Sequence, residues 1–270
     1  MHQTNVSINK ECQNFTTQTL NIKPTNSKPS MPNPWFQFKQ FTVFHDHTAM
    51  KVTTDACLFG AWCADEIQKA KIQNLNLLDI GTGTGLLSLM VAQKNKIQID
   101  AIEIDEEAAA QAGQNISSSP WTENIKIFNQ DILNFNSNHK YEAVISNPPF
   151  YENELASGQV KKDLAHHSLQ LSLVQLFSVI KNNLADEGRF FLLLPFKREN
   201  EIEDLLNKHQ FYIHKKILVQ QSTSHQPFRV MLSGSDQQSE IFTTTISIKD
   251  EKQQYTQEFT ALLEAYYLYL

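Results

Sequence analysis

The stretch Asp79-Ile80-Gly81-Thr82-Gly83-Thr84-Gly85 restricts the fold more than any other part of the chain. It places three of the eight glycines within five residues. It follows the apolar run Leu75-Asn76-Leu77-Leu78 and leads into Leu86-Leu87-Ser88-Leu89-Met90-Val91. A buried strand, a tight turn and a helix satisfy that order. Glycines let the backbone turn sharply and let a ligand touch the main chain. The first amides of the following helix then point at the ligand. The alternation continues downstream, with strands expected at 97–104, 125–128, 141–146, 188–194, 212–219 and 228–232. Helices are expected at 85–93, 106–115, 171–184 and 199–209. A further strand is expected at 242–249 and an apolar helix at 258–270. This pattern predicts an α/β fold with a mostly parallel sheet and helices on both faces.

The spacing of the loop discriminates among its possible ligands. A dinucleotide fingerprint is G-x-G-x-x-G, whereas this loop is G-x-G-x-G. A P-loop would end in Lys-Ser or Lys-Thr, and this loop does not. The D-x-G-x-G-x-G pattern resembles the first motif of class I S-adenosylmethionine-dependent methyltransferases. That resemblance implies a Rossmann-like sheet, S-adenosylmethionine as cofactor on Gly81, Gly83 and Gly85, and Asp79 near the cofactor's amino-acid end. Glu103 ends the next strand, 18 residues after Gly85. A carboxylate there can accept both ribose hydroxyls; Asp105 is the weaker candidate. Asp131 follows the third core strand, where the family faces the adenine amino group of the cofactor.

Asn147-Pro148-Pro149-Phe150 closes the fourth core strand. Ligands of open α/β sheets bind at the carboxyl ends of strands. The two prolines remove backbone donors and stiffen the turn, and Asn147 is held extended because it precedes a proline. The Asn147 side-chain oxygen and the Pro148 carbonyl can then both accept from an amine and stabilise the charge it develops. Phe150 offers a ring face to a planar base, worth roughly 1–3 kcal/mol. An ordinary strand-ending turn is the alternative reading. This signature resembles that of amino-methyltransferases acting on N6 of adenine, N2 of guanine or a glutamine amide.

The ends of the chain narrow that group. Phe38-Lys39-Gln40-Phe41-Thr42-Val43-Phe44-His45-Asp46-His47 through Met50-Lys51-Val52-Thr53-Thr54-Asp55 is similar to the opening of the bacterial tRNA-valine adenine-37 N6-methyltransferases. The tail from Tyr255 to Leu270 is also similar to the end of that family. The resemblance covers residues 35–270, and it departs at His47, where an Arg is expected. It implies methyl transfer to N6 of adenine-37 in the anticodon loop of tRNA-valine. It also implies that Lys51, Thr53 and Asp55 cover the methionine end of the cofactor. Read alone, Lys51 is a solvated charge, and Thr54 or Asp55 is the cap of a helix over 54–64. A ribosomal-RNA guanine-N2 enzyme and a protein glutamine-N5 enzyme are the alternatives within the class. Outside it stand a non-catalytic RNA-binding module and a dinucleotide-dependent oxidoreductase.

Composition sets the remaining bounds. Residues 1–34 are polar, proline-bearing and without apolar periodicity, so a disordered extension is expected before one methyltransferase domain over 35–270. Within it, 35–74 forms the cofactor-covering segment, 75–233 the core, and 234–270 a C-terminal strand and helix. A short strand or hairpin is expected over 36–43. The net charge of −6 excludes a broad basic surface and leaves local lysines, such as Lys39, Lys51, Lys161, Lys162, Lys197, Lys215 and Lys216, to meet tRNA phosphates. A salt slope of about 2–4 follows from so few contacts. His166, His167 and the polar stretch 151–165, read as a lid, stand beyond Phe150. Three cysteines, Cys12, Cys57 and Cys63, form no disulfide framework. No metal site is expected, His45 and His47 included. No apolar run approaches the roughly 18 residues that span a bilayer, and a cytoplasmic monomer is expected.

Overall fold

The computed structural model describes residues 33–48, 50–70, 75–149 and 171–270. The expected extension before residue 33, Cys12, Phe150, the polar stretch 151–165 with Lys161 and Lys162, and His166 and His167 lie outside the described residues.

A small hairpin opens the described chain, β1 (Trp35–Gln37) antiparallel to β2 (Thr42–Phe44). Helix α1 (Thr54–Ala70) follows. It begins one residue later than a Thr53 cap: the Thr53 hydroxyl accepts from the Ala56 amide at 3.4 Å. The cap therefore falls on Thr53, not on Thr54 or Asp55. The helix also runs six residues past the expected end. Glu66 is buried in its last turns and paired with Lys69 and Lys215, so a satisfied acid continues the buried face where apolar periodicity stops.

The core then alternates as β3 (Leu75–Ile80), α2 (Leu86–Lys94), β4 (Ile97–Glu103), α3 (Glu106–Ser117), β5 (Ile125–Asn129) and β6 (Tyr141–Ser146). It continues with α4 (Leu173–Asn183), β7 (Leu184–Pro195), α5 (Glu199–His209), β8 (Tyr212–Ser222), β9 (Arg229–Ser235), β10 (Phe242–Lys249) and α6 (Gln257–Leu263). Strand β7 starts four residues before the expected strand, because Leu184 already pairs with Tyr141. Helix α4 is opened by a capping box between Ser172 and Gln175. The tail is helical only over Gln257–Leu263; beyond it the chain turns, and Tyr267 bridges to Phe38.

The eight strands lie in the order β10-β8-β9-β7-β6-β3-β4-β5. All pairings among β3 to β7 are parallel, β9 is antiparallel to both neighbours, and β10 joins β8 in parallel. Two apolar layers flank the sheet. One joins α1, α2 and α6 to the hairpin through residues such as Phe38, Phe59, Leu89 and Phe259. The other places α4 and α5 against Leu78, Val144, Phe190 and Leu192. The strand order reverses between β3 and β6: β4 continues from β3 on one side, and β6 lies on the other. Ligand clefts of open α/β sheets form outside the carboxyl ends of strands at such a reversal.

Candidate active site

Strands β3 and β6 deliver the two sequence motifs to that position. Ile80 is in register with Ser146, and the Ser146 hydroxyl donates to the Ile80 carbonyl at 2.8 Å. Gly81 and Asn147 therefore leave adjacent strand ends side by side. Asn147 is half-buried, Pro148 is buried and Pro149 is exposed.

The glycine loop has the backbone its sequence demands. Gly81, Gly83 and Gly85 have φ of 70°, 57° and 80°, a region costly for any residue with a Cβ. A Cβ on Gly81 or Gly83 would meet nothing within 4 Å, so these two line open space. A Cβ on Gly85 would instead lie 3.4 Å from Ile116 Cδ1, where the loop packs on α3. The amides of Gly81 and Thr82 both donate to the Ile102 carbonyl, at 2.9 and 3.0 Å, which folds the loop back over β4.

Two carboxylates are hydrogen-bonded to this loop, and a third stands just beyond the end of β5. Asp79 is fully buried; its Oδ2 accepts from the hydroxyls of Thr82 at 2.6 Å and Ser88 at 2.7 Å. Its Oδ1 accepts no hydrogen bond among the described residues. Burial pushes the Asp79 carboxyl up to about 6, against the two hydroxyl hydrogen bonds, with the neighbouring Glu103 charge adding to the rise. Glu103 accepts from the Gly83 amide at 2.8 Å and the Asp105 amide at 3.0 Å. Its pKa is also raised, by burial first. A carboxylate has about four lone-pair sites, so two remain for a ligand. Asp131 caps a short 3-10 turn, accepting from the Leu133 amide at 2.9 Å. Asn129 and Gln130 donate to the Glu103 carbonyl, each at 3.0 Å, and bring the ends of β4 and β5 together.

The segment before α1 reaches the same edge. Lys51 and Thr53 are exposed. Asp55 accepts from Arg229 Nε at 3.1 Å. Arg229 starts β9 opposite Pro195, the last residue of β7, so this ion pair also stands at the carboxyl edge. Arg229, Thr82 and Ser88 escaped the sequence reading, as did Gln111 and Asn115. Ser88 carried a signal, a lone polar side chain inside an apolar helical run; Arg229 carried none, because its partner lies 174 residues away.

The donor set fits S-adenosylmethionine, the cofactor expected for this loop. An unpartnered buried carboxylate oxygen suits a cationic ligand, two open glycines admit a ligand to the main chain, and Glu103 keeps acceptor capacity for hydroxyls. Among the described residues, no group of His, Cys, Asp and Glu could hold a metal ion. Cys57 and Cys63 are buried free thiols, and burial pushes Cys57 up to about 12.

Comparison with known proteins yields a consistent set. The model of the methyltransferase small domain matches residues 55–213. A protein of Parabacteroides distasonis named tRNA1(Val) (adenine(37)-N6)-methyltransferase is 35% identical over 241 residues, covering 88% of this chain and 99% of its own. Proteins of the same name from Dyadobacter fermentans and Klebsiella pneumoniae are 38% and 36% identical. They cover 87% and 91% of this chain and 98% and 100% of theirs. Among solved structures, a predicted O-methyltransferase from Agrobacterium tumefaciens superposes with a TM-score of 0.60 at 14% identity, over 78% of this chain and 96% of that one. A Listeria monocytogenes protein assigned to the class I S-adenosylmethionine-dependent methyltransferases superposes with a TM-score of 0.55 at 13% identity, over 73% and 68%. At such identities the structures share the fold.

Proposed function

The chain belongs to the tRNA1(Val) (adenine(37)-N6)-methyltransferase family and carries its methyltransferase small domain, and on that premise we propose how its own residues act. It is an S-adenosylmethionine-dependent methyltransferase whose substrate is an adenine N6 in tRNA. The specific target we assign is adenine-37 in the anticodon loop of tRNA-valine, as in the names of its relatives. No described helix is long and apolar enough to cross a membrane. A cytoplasmic monomer is our reading of where and how it works.

One observation carries the assignment of roles: the register of Ile80 with Ser146 sets Gly81 beside Asn147 at the strand reversal. The open main chain at Gly81 and Gly83 would hold the cofactor, with Asp79 serving its amino-acid end, Glu103 its ribose and Asp131 its adenine. Lys51, Thr53 and Asp55 approach its methionine end. When bound, S-adenosylmethionine supplies an electrophilic methyl on a sulfonium. Asn147 and the Pro148 carbonyl accept from the two N–H groups of the substrate amine. This pulls the nitrogen lone pair out of conjugation and stabilises the positive charge formed as the new bond closes. Phe150 stacks on the target base. The extra proton leaves the alkylated nitrogen readily, so no strong base is required. Holding the amine in line with the methyl supplies much of the remaining rate.

Calorimetry and single-turnover assays on Asn147→Ala test this arrangement. Cofactor affinity stays near that of the wild type, and turnover falls by about 100-fold or more. Substantial retained turnover would remove Asn147 from the reaction.

A further inference from the structure

Two buried amides on α3 have no place in the chemistry described above. Gln111 and Asn115 are 3% and 1% exposed, one helical turn apart on a buried face otherwise made of Ala108, Ala109, Ala112 and Ile116. Their hydrogen bonds leave the helix entirely. Asn115 Oδ1 accepts from the Phe44 amide at 2.9 Å, while its Nδ2 donates to the carbonyls of Phe44 and Thr84, both at 2.9 Å. Asn115 thus pairs with Phe44 as a neighbouring strand residue would, and the same amide group holds the glycine loop. Gln111 Nε2 donates to Asp46 Oδ1 at 2.6 Å, and its Oε1 accepts from the His47 amide at 3.1 Å. Asp46 in turn lies 3.4 Å from His47 Nε2.

The consequence is a fixed path. Residues 44–47 are fastened to α3 beside the glycine loop. Eight residues after His47, Asp55 is fastened to Arg229 at the start of β9. Across the sheet, α3 follows β4, and β9 lies beyond β7, with β3 and β6 between them. The chain bearing Lys51 and Thr53 runs from one anchor to the other, and the strands whose ends carry Gly81 and Asn147 lie between the two in the sheet order. At the near end, Thr84 is tied to Asn115 while its neighbour Gly83 is tied to Glu103. One hydrogen-bonded relay links Phe44 to the acid placed on the cofactor ribose.

We propose that Gln111 is a positioning residue for cofactor binding, which, beside the Asn115 anchor, holds the segment leading to Lys51 and Thr53 against the glycine loop before the cofactor arrives. The claim rests on the cofactor reading given above. Its physical basis is preorganisation: a segment already ordered loses less freedom on binding.

The test uses the full-length protein and the variants Gln111→Leu, Asp46→Ala and their double. Affinity for S-adenosylmethionine is read by calorimetry, and amide hydrogen exchange over residues 44–48 is read without cofactor. Each single variant should bind the cofactor about tenfold more weakly, and the double no more weakly than Gln111→Leu, because Gln111→Leu already removes the contact that Asp46→Ala removes. Exchange at the His47 amide should quicken, while turnover at saturating cofactor stays within about twofold. Asp46 is exposed, so Asp46→Ala carries the test should Gln111→Leu not fold. Unchanged cofactor affinity in folded variants, even with a lowered melting temperature, would make the Gln111 amide merely structural and overturn the proposal. A wild-type protein that fails to bind S-adenosylmethionine would instead overturn the functional reading beneath it.

Discussion

Asp79 bears the clearest electrostatic conflict in the molecule. Its carboxyl is fully buried, one oxygen is held by two hydroxyls, and the other accepts nothing among the described residues. Burial raises it from an ordinary 3.8 to about 6. The folded state therefore binds a proton that the unfolded chain has released between these values. Stability falls as pH rises from 3.8 to about 6, and the full penalty is present above 6. The interval corresponds to roughly 3 kcal/mol at neutral pH. Asp79→Asn should accordingly raise the melting temperature of the cofactor-free protein at pH 7.5, with the advantage shrinking below pH 6 and gone near pH 3.8. The same change should weaken cofactor binding, because the vacant oxygen loses its charge. Thermal melts across pH, with and without cofactor, check both halves; a stability gain independent of pH would contradict the assignment.

The elements add a constraint of packing. Strand β9 runs antiparallel to its neighbours, and Gly234 is paired with Phe190 of β7 and Ile213 of β8. A Cβ there would sit 2.6 Å from Phe190 Cζ and 2.6 Å from the Tyr212 carbonyl oxygen. The phenyl ring can move, but the backbone oxygen is fixed in the sheet. Gly234→Ala should destabilise the fold by about 1–3 kcal/mol, read as a lower denaturation midpoint with cofactor affinity per folded molecule unchanged. Elements of this kind were largely legible in the sequence, because strand and helix periodicity is local. Leu75–Ile80 and Tyr141–Ser146 lie where their apolar runs place them. The left-handed turn of the glycine loop and the place of Asn147 just after β6 were legible for the same reason, since both are written in consecutive residues. Misreadings arose where burial is satisfied at long range. Glu66 continues α1 through Lys215, and Tyr267 leaves the helical pattern of the tail to pair with Phe38. Asn115 with Phe44, and Asp55 with Arg229, join residues 71 and 174 positions apart, and no local pattern announces them.

The whole molecule is acidic, with a net charge of −6, yet its substrate is a polyanion. Among the described residues, several of the lysines considered for RNA contact already hold protein acceptors. Lys39 donates to the Glu264 carbonyl at 2.6 Å, Lys215 pairs with Glu66 at 2.5 Å, and Lys216 pairs with Glu199. Few phosphates can therefore be neutralised, and selection must come from the base in the site and the shape of an unpaired loop, where base edges are exposed. Acting beside the anticodon meets that need without melting a helix. The atom that receives the methyl group tests this most directly. The protein should be incubated with methyl-labelled S-adenosylmethionine and, separately, tRNA-valine, other tRNAs, ribosomal RNA and a release factor, followed by nucleoside and peptide mass spectrometry. N6-methyladenosine at position 37 of tRNA-valine is the expected product. Label on a ribosomal guanine or a release-factor glutamine, with none on tRNA, would contradict it.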